Sequence, residues 1–305
     1  MGERRLDRLT HGDIDALVGR AAPGLPVERL TVLRQTSDWL VVEVNQEYVF
    51  HFAGSRAGAE WLAAENRLLA AIAGRISTRL PEPWRFATDH AFVAYRRIDG
   101  DLLGTLAFDH TLSEAAWARV AADVGRFLAE LHQAIDLETA IGLRLPPPEY
   151  PKFAPDLLGR TLPLMNSEED RALVRHVHRL LTEITPGLAS PTLIHGDLHG
   201  DNLVIAADGS LLGVLDFRSA LIADRHIDFR CLFGYGDIME GAVESYNRES
   251  PVPVDLRWCQ VISAANDLHE MTWRAEMGML HGSIPIPIPV RVADLREKLR
   301  LRDLL

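Results

Sequence analysis

Lysine is nearly missing from this chain: among 305 residues only Lys152 and Lys298 carry it. Cysteine is scarce as well. Cys231 and Cys259 stand far apart in apolar or helical surroundings, so no close-spaced metal pair is indicated and nothing demands an oxidising compartment. No run approaches the roughly 18 apolar residues of a membrane span. The opening Met1-Gly2-Glu3-Arg4-Arg5 leads into mixed polar sequence without an apolar signal core. No internal repeat is visible. These absences predict a cytoplasmic protein with no membrane partner. A formal net charge of -11 disfavours nucleic acid as a partner and favours cationic ones. A hydrophobic content of 47% and a charged content of 25% are ordinary for a globular chain, long enough for one large domain or two modest ones.

Against this background one stretch is dense in chemistry. Residues 195–202 read His195-Gly196-Asp197-Leu198-His199-Gly200-Asp201-Asn202, and Leu215-Asp216-Phe217 follows shortly after. Leu203-Val204-Ile205 suits a short strand, Asp208-Gly209 a tight turn, and Leu211 to Leu215 the returning strand. Folding that hairpin brings Asn202 and Asp216 to one end, with Asp197 one loop earlier at the same end. Two carboxylates and an amide oxygen then converge, the hard-oxygen set that suits Mg²⁺ and that phosphoryl transfer needs as a base and two metal ligands.

In this segment the chain resembles the aminoglycoside phosphotransferase family, which shares the protein-kinase fold. The signature is His-Gly-Asp, four residues, Asn, and then Asp-Phe or Asp-Trp after a hairpin. The resemblance covers the chain from about residue 30 onward. It implies an α+β, two-lobed protein-kinase-like fold: a small β-rich N-terminal lobe that binds nucleotide, residues 1–98, and a larger, mostly helical catalytic and substrate-binding lobe, residues 99–305. It also implies that Asp197 orients or deprotonates an acceptor hydroxyl, that His195 braces the catalytic loop, and that Asn202 and Asp216 hold Mg²⁺. Asp224 and Asp228 would support the loop without taking part in the chemistry. ATP or GTP would be the phosphate donor.

The nucleotide side departs from that pattern. The loop over the phosphates would be Arg34 to Trp39, which has no glycine, so only Ser37 and backbone amides are offered as donors. On the returning strand His51 falls where the family carries a lysine, with Glu65 at the position of that lysine's helix partner. Three readings stay open: His51 acts as a shorter, cationic donor; Arg56 or another arginine reaches the phosphates; or phosphate binding is degraded. The hinge would be Tyr95-Arg96-Arg97-Ile98, its backbone pairing with the base edge. Tyr95 would screen the back of the base pocket, which in similar enzymes goes with use of GTP.

Periodicity fills in the rest. Helices are expected near residues 10–20, 57–73, 113–135, 167–184, 237–248, 255–280 and 290–303, and strands near 30–33, 39–44, 48–52 and 91–95. Ser167-Glu168-Glu169-Asp170 resembles a capping box. Leu143 to Pro155 holds five prolines and cannot be regular helix, and Ile284 to Pro289 should be extended. Asp237, Glu240, Asp267, Glu270 and Trp273 are the candidate acceptor wall: carboxylates attract ammonium groups, and an indole face can stack on a sugar or hold a cation. The acceptor expected is a cationic small molecule, an aminoglycoside or related antibiotic, with a macrolide, a basic peptide antibiotic, choline or a sugar as alternatives. The protein would be a monomer or homodimer. Two rivals remain. Gly196-Asp197-Leu198-His199-Gly200 also fits a metallophosphoesterase, but no Asn-His pair follows Gly236-Asp237. The substitution at His51 allows a nucleotide-binding pseudokinase.

Overall fold

Alternation with a period of two builds the first third of the chain. The computed structural model describes residues 5–87, 91–108, 111–145, 156–188, 191–234, 238–276 and 288–305. Helix α1 (His11–Ala21) precedes strands β1 (Leu30–Gln35), β2 (Trp39–Val44) and β3 (Tyr48–Ala53); helix α2 (Arg56–Ile72) follows, then β4 (Pro83–Ala87) and β5 (Phe92–Arg96). The five strands form one antiparallel sheet in the order β1-β2-β3-β5-β4. Leu40, Val42, Val44, Phe50, Phe52 and Phe92 share one face and pack with Ile14, Leu17 and Val18 of α1. Trp39, Val93 and Tyr95 belong to the core of the opposite face, with Leu62, Leu68, Leu69 and Ile72 of α2. His51 lies in register with Val93 and Val49 with Tyr95, so side-chain alternation puts His51 and Tyr95 on the α2 side.

The chain then runs through β6 (Asp101–Leu102), α3 (Leu103–Phe108), α4 (Glu114–Gln133), α5 (Leu137–Gly142), α6 (Leu157–Thr161) and α7 (Glu168–Ile184). Next come β7 (Pro191–Ile194), β8 (Leu203–Ile205), β9 (Leu211–Val214) and β10 (Leu221–Asp224), followed by α8 (Ile238–Glu249), α9 (Leu256–Glu276) and α10 (Ile288–Leu301). Strands β6, β8 and β9 make a three-stranded sheet and β7 pairs with β10. The apolar cluster on the α2 face continues into α4, α7, α8 and α9. Gly209 adopts φ +85° at the hairpin tip, as the Asp208-Gly209 turn predicts.

Local expectations hold with small shifts. Ser113 caps α4, its Oγ accepting from Ala116 N–H at 3.2 Å. The expected box at Ser167 is half formed: Oγ accepts from Asp170 N–H at 3.0 Å, but the Asp170 carboxylate takes Arg296 at 2.7 Å. The reciprocal box sits instead at Thr10 and Asp13, at the start of α1. Helix α10 begins at Ile288, so the last two residues of the expected extended segment are already helical, with Pro289 tolerated in the first turn; residues 284–287 lie outside the described residues, as does most of the proline-rich 143–155. Among the described residues no helix is long and apolar enough to cross a membrane.

Candidate active site

The 195–202 loop is held from beneath by one buried carboxylate. Asp228 accepts the N–H of His195 at 2.8 Å and of Gly196 at 2.7 Å, one on each oxygen. Its charge survives burial because His132 Nε2 lies 3.0 Å away. Burial alone would raise its pKa; His132, His195 and the Gly196 amide outweigh that and leave it low. His132 Nδ1 reaches the Tyr246 hydroxyl at 3.0 Å, which also receives Arg225 at 3.0 Å. Gly196 has φ +79°, and a Cβ there would sit 2.2 Å from the Ser219 carbonyl oxygen, so this turn admits only glycine. The second supporting aspartate, Asp224, holds His226 and through it the start of α9.

His195 is buried, and its contacts fix its tautomer. Nε2 donates to the Leu215 carbonyl at 2.9 Å, while Nδ1 accepts the Asp197 N–H at 3.2 Å. Burial lowers its pKa, so the neutral ring ties the 195–202 loop to Leu215, between the end of β9 and Asp216. Asn202 donates through Nδ2 to the Asp197 carbonyl at 2.8 Å, a bond that leaves its Oδ1 uninvolved. Leu215 N–H closes on the Asn202 carbonyl at 2.9 Å. Asp197, Asn202 and Asp216 are thus cross-linked at one end of the β8–β9 hairpin. The Asp197 carboxylate is 40% exposed, with His199 Nε2 at 3.6 Å and Arg230 at 3.9 Å. This solvent access leaves the carboxylate reachable by a bound molecule.

Asp216 adopts a left-handed backbone, φ 61°, an uncommon conformation that aspartate tolerates better than most residues. Burial would raise its pKa, but the Arg218 guanidinium reverses that and holds it far below the usual carboxylate range. Arg218 grips it with both ends of its fork, Nε at 2.7 Å and Nη2 on the other oxygen. Among the described residues no three His, Cys, Asp or Glu side chains are grouped to hold a metal by themselves. Mg²⁺ ordinarily takes one or two protein oxygens and completes its shell with water and phosphate, and Asn202 with Asp216 fits that pattern.

On the nucleotide side the expected pairing of His51 with Glu65 is not formed. Glu65 is buried and accepts the Phe217 N–H at 2.8 Å and the Tyr95 hydroxyl at 2.9 Å. Burial and nearby Asp216 push its pKa up to about 7. His51 stands edge-on to the Tyr95 ring, 5.6 Å between centroids, and its buried Nδ1 has no hydrogen-bond partner among the described residues. Burial, reinforced by Arg218, pushes its pKa down to about 4. His51 is therefore neutral at pH 7, against the cationic reading. Arg56 is no substitute where it stands: it points outward, 89% exposed, and pairs with Glu60. Ser37 donates its hydroxyl to Asp38 at 2.9 Å. At the hinge, Arg96 turns to Glu47 at 3.1 Å, the Arg97 N–H is taken by the Glu47 carbonyl at 2.8 Å, and Ile98 packs on Gly213.

Three of the acidic residues expected to form an acceptor wall are paired within the chain. Asp237 lies outside the described residues. Glu240 pairs with Arg302 at 3.2 Å and accepts from Gln260 at 3.2 Å. Asp267 faces α10, in a cavity of about 70 Å³ shared with Lys298 and Asp294, and pairs with Lys298 at 3.4 Å. Each of the two is thus paired with a cation of the chain itself. Glu270 is held by Arg274 on its own helix. Helical spacing nevertheless puts Glu270 and Trp273 on the stripe of Asn266. Asn266 accepts from Arg230 at 3.1 Å, and Arg230 reaches the Gly196 carbonyl beside Asp197. Arg218 and Arg230 were both missed in the sequence, although the triplet Asp-Phe-Arg occurs twice, at 216–218 and 228–230.

A β-rich sheet backed by one long helix, followed by a hairpin-borne Asp, Asn and Asp and a helical remainder, defines a phosphotransferase with the protein-kinase-like fold. The chain belongs to the phosphotransferase enzyme family, whose model matches residues 28–250. No curated protein matches it significantly. Among solved structures it is similar to a GDP complex of a variant of aminoglycoside 2'-phosphotransferase-IIIa, with TM-score 0.76, 22% identity, and 96% of this chain and 99% of that one covered. It is also similar to the streptomycin–ATP complex of APH(2")-IIa, with TM-score 0.61, 18% identity, and 95% and 97% covered. Macrolide 2'-phosphotransferase MphH from Brachybacterium faecium matches with TM-score 0.66, 20% identity, and 94% and 98% covered. At these identities the likeness is one of fold.

Proposed function

We propose that this protein is a small-molecule O-phosphotransferase that moves the γ-phosphate of ATP or GTP to a hydroxyl of an antibiotic, an aminoglycoside being the first candidate. The observation that carries this reading is the cross-linked set of Asp197, Asn202 and Asp216. Asp197 would accept the proton of the acceptor hydroxyl as it attacks in line. Asn202 Oδ1 and the Asp216 carboxylate would hold Mg²⁺, which when bound offsets charge on the phosphate oxygens. His195 and Asp228 keep the loop in the geometry that this requires. Residues 1–98 would serve the nucleotide and residues 99–305 the chemistry and the acceptor. Tyr95, pinned to Glu65, is the residue we expect to narrow the base pocket and favour GTP.

A second acceptor class is favoured by one observation. Glu240, Asp267 and Glu270, counted on to draw a polycation, each pair with an arginine or lysine of the chain itself. A macrolide, with fewer ammonium groups to satisfy, suits such a wall, and macrolide phosphotransferases are among the similar folds. Incubation with ATP or GTP, Mg²⁺ and a panel of aminoglycosides and macrolides, read by the mass of the phosphorylated product, tests both. A phosphorylated aminoglycoside supports the first reading and a phosphorylated macrolide the second. Nucleotide turnover with neither class as acceptor removes both.

A further inference from the structure

The nucleotide cleft lacks its usual lysine and His51 is neutral, yet a cation is already there. Arg218 is 13% exposed and sits between three features of the cleft. Its fork spans both oxygens of Asp216. Its guanidinium carbon lies 4.3 Å from the ring centroid of Trp39, the first residue of β2 after the loop placed over the phosphates. Its charge is felt by His51 on β3 and by Glu65 on α2. Arg34 also acts on His51, but it stands exposed at the start of that loop, whereas Arg218 is largely buried between the loop and Asp216; the remaining candidates are committed elsewhere or point away. Arg230 donates to the carbonyls of Gly196 and Ile227 and to Asn266, Lys298 pairs with Asp267 and Asp294, and Arg56 is exposed.

We propose that Arg218 is the phosphate-binding cation of this site, and that its fork on Asp216 is a resting contact that a magnesium nucleotide exchanges. The proposal rests on the nucleotide reading of the cleft. Asp216 has two oxygens and the guanidinium engages both. Asp216 would release the guanidinium to a divalent ion held at the same carboxylate, and Arg218 would turn to the phosphates that come with it. A planar fork grips phosphate as it grips carboxylate, through two parallel N–H bonds. Trp39 would keep the guanidinium in the cleft during the exchange, since a cation over an indole face retains attraction without a hydrogen bond. Arginine following the metal aspartate thus takes over, from the hairpin side, the task that a lysine performs from the sheet.

The test is equilibrium binding of GDP and of ADP to the full chain in saturating Mg²⁺, for wild type, Arg218→Ala, Arg218→Lys, Arg218→Gln and His51→Ala. Each variant is first shown to melt cooperatively. We expect Arg218→Ala to weaken the tighter nucleotide by about tenfold or more, the size of a lost charged hydrogen bond. Arg218→Lys should recover part of that and His51→Ala should change it little. Without nucleotide, Arg218→Ala should bind Mn²⁺ more tightly than wild type, because Asp216 is released. Should Arg218→Ala not melt cooperatively, Arg218→Gln carries the same comparison. Wild-type nucleotide affinity in folded Arg218→Ala or Arg218→Gln overturns the proposal and leaves the nucleotide reading standing, as does a loss confined to His51→Ala. A wild type that binds neither GDP nor ADP removes the nucleotide reading and this proposal with it.

Discussion

The Asp228 carboxylate and His132 Nε2 lie 3.0 Å apart with neither side chain reached by solvent. Through this contact α4 sets the position of the catalytic loop, since the same carboxylate accepts the amides of His195 and Gly196. We predict that His132→Ala lowers stability by about 3 kcal/mol, because it leaves a buried carboxylate and the Tyr246 hydroxyl each short of a partner. Urea unfolding of both proteins checks this. A loss within about 0.5 kcal/mol, the range of a surface substitution, would contradict it.

Asp197 is expected to matter to the reaction and not to the fold. Its carboxylate is part-exposed and its backbone makes the structural bonds. Asp197→Asn should lower kcat by about two to four orders of magnitude, with the melting temperature and nucleotide affinity near wild type. Retained turnover would exclude it as the base.

Two buried groups on the α2 face should respond to pH in opposite directions. His51 titrates at about 4 in the folded chain against an ordinary 6.5. As pH falls through this window the unfolded chain takes the proton first, so stability is lost between pH 6.5 and 4, on the order of 3 kcal/mol. Glu65 titrates at about 7 against 4.5. Its contribution is complete below pH 4.5 and disappears as pH rises through 7. His51→Phe should therefore abolish an acid-side loss, and Glu65→Gln a loss on the neutral side. Denaturation curves at pH 4.5, 5.5, 6.5 and 7.5 separate the two, and parallel curves for wild type and both variants would refute the assignment.

On α9, neighbouring acids should behave differently. Glu270 lies on the stripe that includes Asn266, so Glu270→Gln should raise the acceptor KM by about fivefold, roughly 1 kcal/mol, leaving nucleotide KM unchanged. Asp267→Asn removes one of the two acidic partners of Lys298 and should lower stability while acceptor KM stays put. Steady-state kinetics with the best acceptor from the panel reads both, and the reverse pattern would return Asp267 to the acceptor wall.

What the sequence made legible was local. The order Asp197, Asn202, hairpin, Asp216 spans 20 residues, and a two-strand turn at Asp208-Gly209 leaves little choice of geometry. His51 and Glu65 were placed on facing elements correctly, but whether they touch depends on the register of β3 with β5. That register puts Tyr95 beside Glu65, and the turn after Asp216 brings in the Phe217 amide. Asp267 and Glu270 are three residues apart on α9, and counting charges cannot tell which one meets Lys298, 31 positions from Asp267 on another helix. Arg218 escaped notice because an arginine beside an aspartate reads as an ordinary surface pair. Only the fold, which sets the Trp39 ring 4.3 Å from its guanidinium carbon, shows it to be largely buried.

The most direct test is a crystal structure of the protein grown with Mg²⁺ and a non-hydrolysable GTP or ATP analogue. Our account predicts Asn202 Oδ1 and the Asp216 carboxylate on the ion, with Asp197 facing open space beside the γ-phosphate. An ion bound elsewhere, or Asn202 and Asp216 turned from it, would contradict the account.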